Sequence, residues 1–401
     1  MSRALTPTKK RRTLEDMERK SPNDLLTRGV ADVIVRKDLD KLLASGHPLR
    51  IKHGVDPTRP DLHLGHAVIY RKLRQLQDLG HTIIFLIGDY TARFGDPTDK
   101  VKSRILQKKE DVAAAAKSYV DQIGMILNKQ KLEIRYNSEW YEKMTAEELL
   151  RIMSRFTVSR MLERDMFVAR KKAGEEIGLH EPVYPVLQAY DSVMLKSDCT
   201  VIGTDQTFNE LQARPLQEFF GQKPQQVVTL KILPGTDGKD KMSKSLGNDI
   251  KLTLSPEDMF GKLMSIPDSA MPIFAELLTD LPLAEFTKPK DPKAAKVKLA
   301  TTIVAEFHSP KHAAKAEEHF NRVIVGKQAP EKVPTKTIQG KELKSEADMV
   351  AFLFGVSKSE ARRLILQKAV ECDGQKVIDP NARPVHGVYK KGRHYMRPVL
   401  K

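Results

Sequence analysis

Residues 49–87 read LRIKHGVDPTRPDLHLGHAVIYRKLRQLQDLGHTIIFLI, and this stretch decides the fold. Leu49–Val55 reads as a strand. The turn DPTRPD (56–61) ends it. From Leu62 to about Leu79 the apolar residues Val68, Leu73, Leu76 and Leu79 recur at near-helical spacing, and Gly80 supplies a helix stop. Thr82–Ile87, TIIFLI, is a short apolar run bounded by glycine, the composition of a strand covered on both faces of a parallel sheet. Strand, helix, strand at this spacing is a βαβ unit. The expected fold class is therefore α/β, built on a Rossmann-like parallel sheet.

Outward from that unit the chain has 401 residues, 40% hydrophobic and 30% charged, which suits two or three domains with a real core at roughly 150 residues each. No apolar run approaches the roughly 18 residues of a membrane-spanning helix. The first 20 residues hold seven basic and three acidic side chains and read as a mobile tail rather than a secretory signal. Two cysteines, Cys199 and Cys372, exclude a disulfide framework and a cysteine-built metal site, and they fit a reducing cytoplasm. The net charge of +16 points to a polyanionic partner, most simply nucleic acid.

The expected organisation is a basic tail and helix over 1–32, with helical patterning from near Asp24, then a sheet domain over 33–250 carrying a helical insertion at about 120–180. Helices are expected over Arg104–Leu127 and Ala146–Lys172, and a second α/β region from Pro182 to about Leu233. A helical domain follows over 251–330. A Pro- and Lys-rich stretch, GKQAPEKVPTK (326–336), leads into a linker at 331–344. A small basic unit occupies 345–401, with eleven Lys/Arg against six Asp/Glu.

Two motifs carry chemistry. Asp61-Leu62-His63-Leu64-Gly65-His66 sits where the first strand hands over to its helix. Unsatisfied N–H groups at a helix start attract phosphate, and ligands of parallel sheets bind at the carboxyl ends of strands. His63 and His66 share one helix face, and Gly65 between them leaves room for close approach. Alone, such a pair reads as surface or cap histidines. The second motif is Lys241-Met242-Ser243-Lys244-Ser245, flanked by PGTDGKD and LGND, where two lysines three apart reach one polyphosphate. Alone, it reads as an ordinary basic loop. Neither Gly-x-x-x-x-Gly-Lys-Ser/Thr nor Gly-x-Gly-x-x-Gly occurs.

Together, in this order and distance, the two resemble the paired signatures of class I aminoacyl-tRNA synthetases. Tyr184-Pro-Val-Leu-Gln188-Ala-Tyr-Asp191 is similar to the substrate helix of the tyrosyl-tRNA synthetases. Tyr184, Gln188 and Asp191 stand at i, i+4 and i+7 and share a face of an otherwise apolar helix, so they face a cavity or an internal hydrogen-bond network. Gly203-Thr204-Asp205-Gln206 resembles the family's Gly-x-Asp-Gln segment, and Gly95-Asp96-Pro97-Thr98 its Gly-Asp-Pro-Ser loop. The resemblance implies that Asp96, Tyr184, Gln188, Asp191 and Gln206 bind tyrosine. It implies that Asp56, Thr58, His63, Gly65, His66, Gly203, Asp205 and Lys241 to Ser245 (with Met242, Ser243 and Lys244 between) bind ATP. Catalysis falls to His63, His66, Lys241 and Lys244, with Lys100 and Arg104 closing over the pyrophosphate. One departure stands out. Where many tyrosyl enzymes place a tyrosine that touches the substrate phenol, this chain has Lys52, and His53 replaces a frequent cysteine. Lys52 either donates to the phenol oxygen or points elsewhere.

In the last unit, Ser357 to Ile365 reads as a capped basic helix, followed by a strand, a turn at Asp373-Gly374 and another strand. This resembles an S4 RNA-binding domain, in which Arg362, Arg363, Lys390 and Lys391 would meet phosphates. The resemblance as a whole, to the long bacterial branch of the family, implies a tyrosine–tRNA ligase using ATP, L-tyrosine and tRNA(Tyr). Mg2+ would arrive on the ATP with no structural metal in the protein. It further implies a cytoplasmic homodimer with no membrane contact. The alternatives are a tryptophanyl-tRNA synthetase and a non-catalytic S4-containing RNA-binding regulator of the same fold.

Overall fold

A computed structural model describes residues 25–57, 61–96, 108–326, 333–338, 343–392 and 394–400. Chain contacts divide it into two units, residues 1–307 and 308–401.

The first unit is organised by a six-stranded sheet. Its strands are β1 Val30–Ile34, β2 Arg50–Val55, β3 Thr82–Ile87, β4 Leu132–Tyr136, β5 Cys199–Gly203 and β6 Gln226–Leu230. They lie in the order β1-β6-β5-β2-β3-β4. All neighbours run parallel except β1, which pairs antiparallel with β6. The TIIFLI strand is buried from Ile83 onward, as a strand covered on both faces must be. The chain winds outward through β2, β3 and β4, then returns to place β5 on the other side of β2, so the strand order reverses there. The carboxyl ends of β2 and β5 flank a crevice at that switch point, where open α/β sheets bind ligands.

Helix Leu64–Asp78 follows β2 directly. Its start is stapled from both sides: His63 Nδ1 accepts from the Gly65 N–H at 3.2 Å, and His66 Nδ1 accepts from the His63 N–H at 3.3 Å. Helix Tyr184–Leu195 begins with Pro185 in its first turn and ends at Lys196, whose φ of 48° breaks the helical path. Helices Pro256–Ser265, Met271–Leu278 and Pro292–Phe307 pack together as the sequence pattern requires, around Met259, Phe260, Phe274 and Ile303.

Three local expectations change. Leu25 is helical, residues 26–29 form a turn, and the chain then enters β1, because pairing with β6 gives Val30–Ile34 its ladder partners. The sheet therefore starts before residue 33. Ala146–Lys172 is three short helices, Ala146–Met153, Val158–Met161 and Asp165–Lys172, with Thr145 and Thr157 capping the first two. Residues 335–338, read as linker, form strand β7 (Thr335–Ile338).

The second unit holds a five-stranded sheet, in which β7 is joined by β8 Val370–Cys372, β9 Gln375–Lys376, β10 Tyr389–Lys391 and β11 His394–Leu400. The order is β7-β11-β10-β8-β9. Helices Glu346–Phe354 and Lys358–Leu366 pack on it through Val350, Leu353, Ala361 and Ile365. The Asp373-Gly374 turn has φ of 48° and 82°, the left-handed pair that a two-residue hairpin demands. Tyr389 anchors the core end of the sheet by donating to Glu346 Oε2 at 2.7 Å.

Candidate active site

The two signature motifs meet. Leu64 donates its N–H to the Ile250 carbonyl at 2.9 Å, and Leu252 donates to the Leu62 carbonyl at 2.9 Å, so the chain after KMSKS is pinned to the start of the histidine helix. Met242 is buried, and its Cβ lies 3.7 Å from where a side chain at Gly65 would begin. Lys251 pairs with Asp61 at 2.7 Å. The loop is tied internally by Asn248. Its Oδ1 accepts from the Ser243 N–H at 2.8 Å, and its Nδ2 donates to Asp237 Oδ2 at 2.5 Å and to the Lys241 carbonyl at 3.3 Å. Gly235 is required beneath it, because a Cβ there would fall 2.2 Å from the Asn248 amide.

The imidazoles of His63 and His66 lie 4.0 Å apart, centroid to centroid. Burial, then the charge of Lys244, pulls the His63 pKa down to about 4, and burial pulls His66 well below the ordinary histidine value. Both rings are therefore neutral near pH 7. Each Nδ1 already accepts a backbone N–H, so the ring proton sits on Nε2. The pair offers two neutral N–H donors, while the positive charge comes from the lysines. Lys244 Nζ stands 5.7 Å above the Tyr119 ring, and Lys241 Nζ is 3.5 Å from Asp205 Oδ2. Asp205 follows Gly203 at the end of β5, and a Cβ at Gly203 would lie 2.7 Å from its carboxylate.

A second constellation lines the switch point. Tyr184 donates to Asp56 Oδ2 at 2.8 Å, and Thr91 donates to Asp56 Oδ1 at 2.9 Å. Asp56, assigned above to ATP, thus holds the ring hydroxyl of a tyrosine-side residue. Gly88 at the end of β3 makes this possible: a Cβ there would lie 2.1 Å from Asp56 Oδ1. Asp191 is buried, accepts from Trp140 Nε1 at 3.0 Å and faces Asn137 Nδ2 at 3.5 Å. Burial pushes both Asp56 and Asp191 up to about 7. Gln188 Nε2 donates to Glu210 Oε1 at 2.8 Å. Gln206 Nε2 donates to Asp96 Oδ2 at 2.8 Å, and buried Arg164 holds Asp96 Oδ1 at 3.1 Å.

The charge of Lys52 is felt at Asp191. Its Nζ pairs with Glu210 and Ser192. His53, on the opposite face of β2, packs against Tyr70 and Phe85 and bonds the Val201 carbonyl, as a core residue. Thr58, Lys100 and Arg104 lie outside the described residues. Sequence reading missed Thr91, Asn137, Trp140, Arg164, Asn209 and Glu210. None of them stands in a spacing pattern that marks it as part of a site. The glycine at 88 was the one local hint, since a glycine at a strand end marks a close approach.

The chain as a whole matches known proteins. The family model described as class I tRNA synthetases (W and Y) matches residues 44–324. That model spans both tryptophanyl and tyrosyl enzymes. The tyrosine–tRNA ligase of Dehalococcoides mccartyi is 45% identical over 388 residues, 94% of this chain and 98% of that one. The tyrosine–tRNA ligase of Thermotoga maritima is 45% identical over 368 residues, 88% and 90% of the two chains. The chain belongs to the tyrosyl-tRNA synthetases. The tryptophanyl and non-catalytic alternatives are not favoured. Among solved structures, a C-terminally truncated mitochondrial tyrosyl-tRNA synthetase of Aspergillus nidulans superposes with a TM-score of 0.64 at 24% identity, covering 78% of this synthetase and 96% of that chain. A tyrosyl-tRNA synthetase of Archaeoglobus fulgidus, complexed with L-tyrosine, gives 0.61 at 23% identity, covering 73% and 98%. At these identities the likeness shows the fold.

Proposed function

We propose that the first unit activates L-tyrosine with ATP and transfers it to tRNA(Tyr), through the residues gathered at the switch point. The observation that carries this reading is the meeting of Met242 with Gly65, on the same sheet as the hydrogen-bonded cluster of Tyr184, Gln188 and Asp191. A tyrosine carboxylate oxygen attacks the α-phosphorus of ATP. The new P–O bond forms as the bond to pyrophosphate breaks, and pyrophosphate leaves with the electron pair. No covalent intermediate on the protein is needed, so catalysis rests on alignment and charge matching. Lys241 and Lys244, with Lys100 and Arg104, meet the charge on the departing phosphates. His63 and His66 donate Nε2–H bonds to phosphate oxygens. Gly203 and Asp205 take the ribose, with Asp56, Thr58, Gly65, Ser243 and Ser245 around the nucleotide. Asp96, Gln188 and Gln206 take the amine end of tyrosine, Tyr184 packs beside it through Asp56, and Asp191 accepts from the phenol. Mg2+ enters with ATP, neutralising phosphate charge. A terminal ribose hydroxyl of tRNA then attacks the acyl carbon and AMP leaves.

The test is pyrophosphate exchange into ATP. Exchange is expected with L-tyrosine and to stay at background with phenylalanine or tryptophan. Exchange driven by tryptophan would overturn the pocket assignment.

We extend the reading to the second unit, as an S4-type module for tRNA backbone. Arg362 and Arg363 lie on the exposed face of helix Lys358–Leu366, Arg362 on Asn381 and Arg363 on Glu360. Lys390 pairs with Glu371 at 3.4 Å, and Lys391 lies over the Phe354 ring at 5.1 Å. Arg362, whose partner here is the neutral Asn381 amide, is therefore the strongest phosphate candidate, with Arg363 beside it held by Glu360 at 2.7 Å. The double variant Arg362→Ala/Arg363→Ala should weaken tRNA binding and flatten its dependence on log salt by about one unit for each phosphate no longer neutralised. Filter binding across a salt series reads both, and an unchanged slope would remove the arginines from the interface. The same proposal includes a homodimer and a cytoplasmic location, where tRNA and ATP are available. Exposed Leu150, Val158, Phe219 and Phe220 on the helices of residues 146–220 supply apolar surface for a second copy. No helix among the described residues is long and apolar enough to cross a membrane.

A further inference from the structure

Lys52 and Glu210 form an ion pair at 3.0 Å with both side chains 1% exposed. A buried pair of this kind is weak support for stability, since apolar residues of similar shape do as well or better. Its consequence is directional. Glu210 Oε1 accepts from Gln188 Nε2 at 2.8 Å, and Gln188 Oε1 accepts from Asn209 Nδ2 at 2.8 Å. Asn209 Nδ2 also donates to Gln206 Oε1 at 3.2 Å, and Gln206 Nε2 donates to Asp96 Oδ2 at 2.8 Å. Three amides thus stand in a row between two carboxylates. A carboxylate only accepts, and an amide has one accepting and one donating end. With both ends ionised, every amide in the row has one allowed direction. Reversing Gln188 alone would bring its oxygen against the Glu210 carboxylate and its NH2 against the Asn209 NH2.

As a carboxylate, Glu210 accepts at both oxygens and enforces that direction. Its Oε2 is met by Gln225 Nε2 at 2.9 Å, a neutral donor, and its Oε1 by Lys52, a cation also bound to Ser192 Oγ at 2.7 Å. The other titratable groups that feel the pair are His53 on β2, Cys199 on β5 and Asp191 on helix Tyr184–Leu195. His53 is held neutral by burial and the Cys199 thiol is pushed up by burial, so neither replaces the lysine's charge.

We propose that Lys52 is a positioning residue for tyrosine: by pairing with Glu210 it sets the direction of the Gln188–Asn209–Gln206 amide row, in which the Gln188 and Gln206 oxygens each take one bond from Asn209 and keep a second lone pair for the substrate's ammonium group. The proposal rests on the assignment of Gln188 and Asp96 to the amine end.

The test compares Lys52→Met, the charge-balanced double variant Lys52→Met/Glu210→Leu, and Gln188→Ala, by tyrosine-dependent pyrophosphate exchange. Lys52→Met should raise the KM for tyrosine about tenfold or more at neutral pH, with the KM for ATP unchanged. The double variant removes both charges from the core and should melt close to the parent, yet keep a raised tyrosine KM. A folded double variant with the parent's tyrosine KM overturns the proposal. If Gln188→Ala raises the tyrosine KM in that same experiment, only the role of Lys52 falls. If Gln188→Ala leaves it unchanged, the amine-end assignment falls as well.

Discussion

Lys244→Met is expected to slow formation of tyrosyl-adenylate by about a hundredfold to a thousandfold while leaving tyrosine affinity unchanged. The split follows from where Lys244 lies. Its ammonium stands over Tyr119 and its charge depresses the pKa of His63, so it belongs to the histidine side of the crevice. The tyrosine-side groups, Asp56, Asp96, Gln188 and Asp191, are held by Tyr184, Arg164, Glu210 and Trp140 instead. Charge accumulates on pyrophosphate only as its bond to the α-phosphorus breaks, so a lysine aimed there stabilises the transition state more than the bound substrates. Methionine keeps the length and the apolar stem and deletes the charge. Single-turnover rates read the first half of the expectation, and equilibrium dialysis of tyrosine reads the second. A parent-like rate would remove Lys244 from the chemistry. Lost tyrosine affinity would mean that the loop shapes the pocket rather than the reaction. Replacing His66 by glutamine should do less harm than replacing it by alanine, because the ring acts as a neutral donor that an amide N–H can partly replace.

The parts of this architecture that were legible in sequence are those whose signal is local. TIIFLI announces its burial because both faces of the strand are covered, and its bounds match Thr82–Ile87. Tyr184, Gln188 and Asp191 announce a shared face because helical geometry alone puts them there. The Asp373-Gly374 turn is legible because few other pairs tolerate two positive φ values. What was not legible depends on tertiary partners. Val30–Ile34 carries no strand alternation and becomes one only through β6. Ala146–Lys172 looks continuous in composition, but Thr157 caps a new helix within it. At the site, the resemblance supplied the residues proposed to touch substrate, while the residues behind them came from the structure. Lys52 shows the difference: as a sequence feature it is a missing tyrosine, and its meaning depends on Glu210, 158 positions away along the chain.

Asp191→Asn is the second large expected effect, and it should appear in specificity rather than turnover. The carboxylate is buried and its observed partners are donors, Trp140 Nε1 and Asn137 Nδ2. It therefore has accepting capacity directed inward and nothing to donate, which suits a phenol O–H and leaves phenylalanine with no hydrogen to offer. Asparagine has nearly the same shape. Its oxygen keeps Trp140, and its NH2 then faces Asn137 and the phenol with a donor where an acceptor is needed. The KM for tyrosine should rise about tenfold to a hundredfold, from loss of a hydrogen bond to a charged group, and the preference over phenylalanine should shrink by a similar factor. There is also a pH signature. Burial raises Asp191 to about 7, opposed by the charge of Lys52, so the empty pocket takes up a proton as pH falls through neutrality. A protonated Asp191 is a poor acceptor, so the parent's tyrosine KM should rise on the acid side of pH 7 and level off above it. Asp56, also raised to about 7, contributes a similar slope through Tyr184. Asp191→Asn should remove only the Asp191 part, leaving a shallower dependence. Exchange kinetics with tyrosine and phenylalanine across that range decide it. An Asp191→Asn enzyme that keeps the parent's discrimination would show that tyrosine is selected by the shape of the pocket and not by this carboxylate.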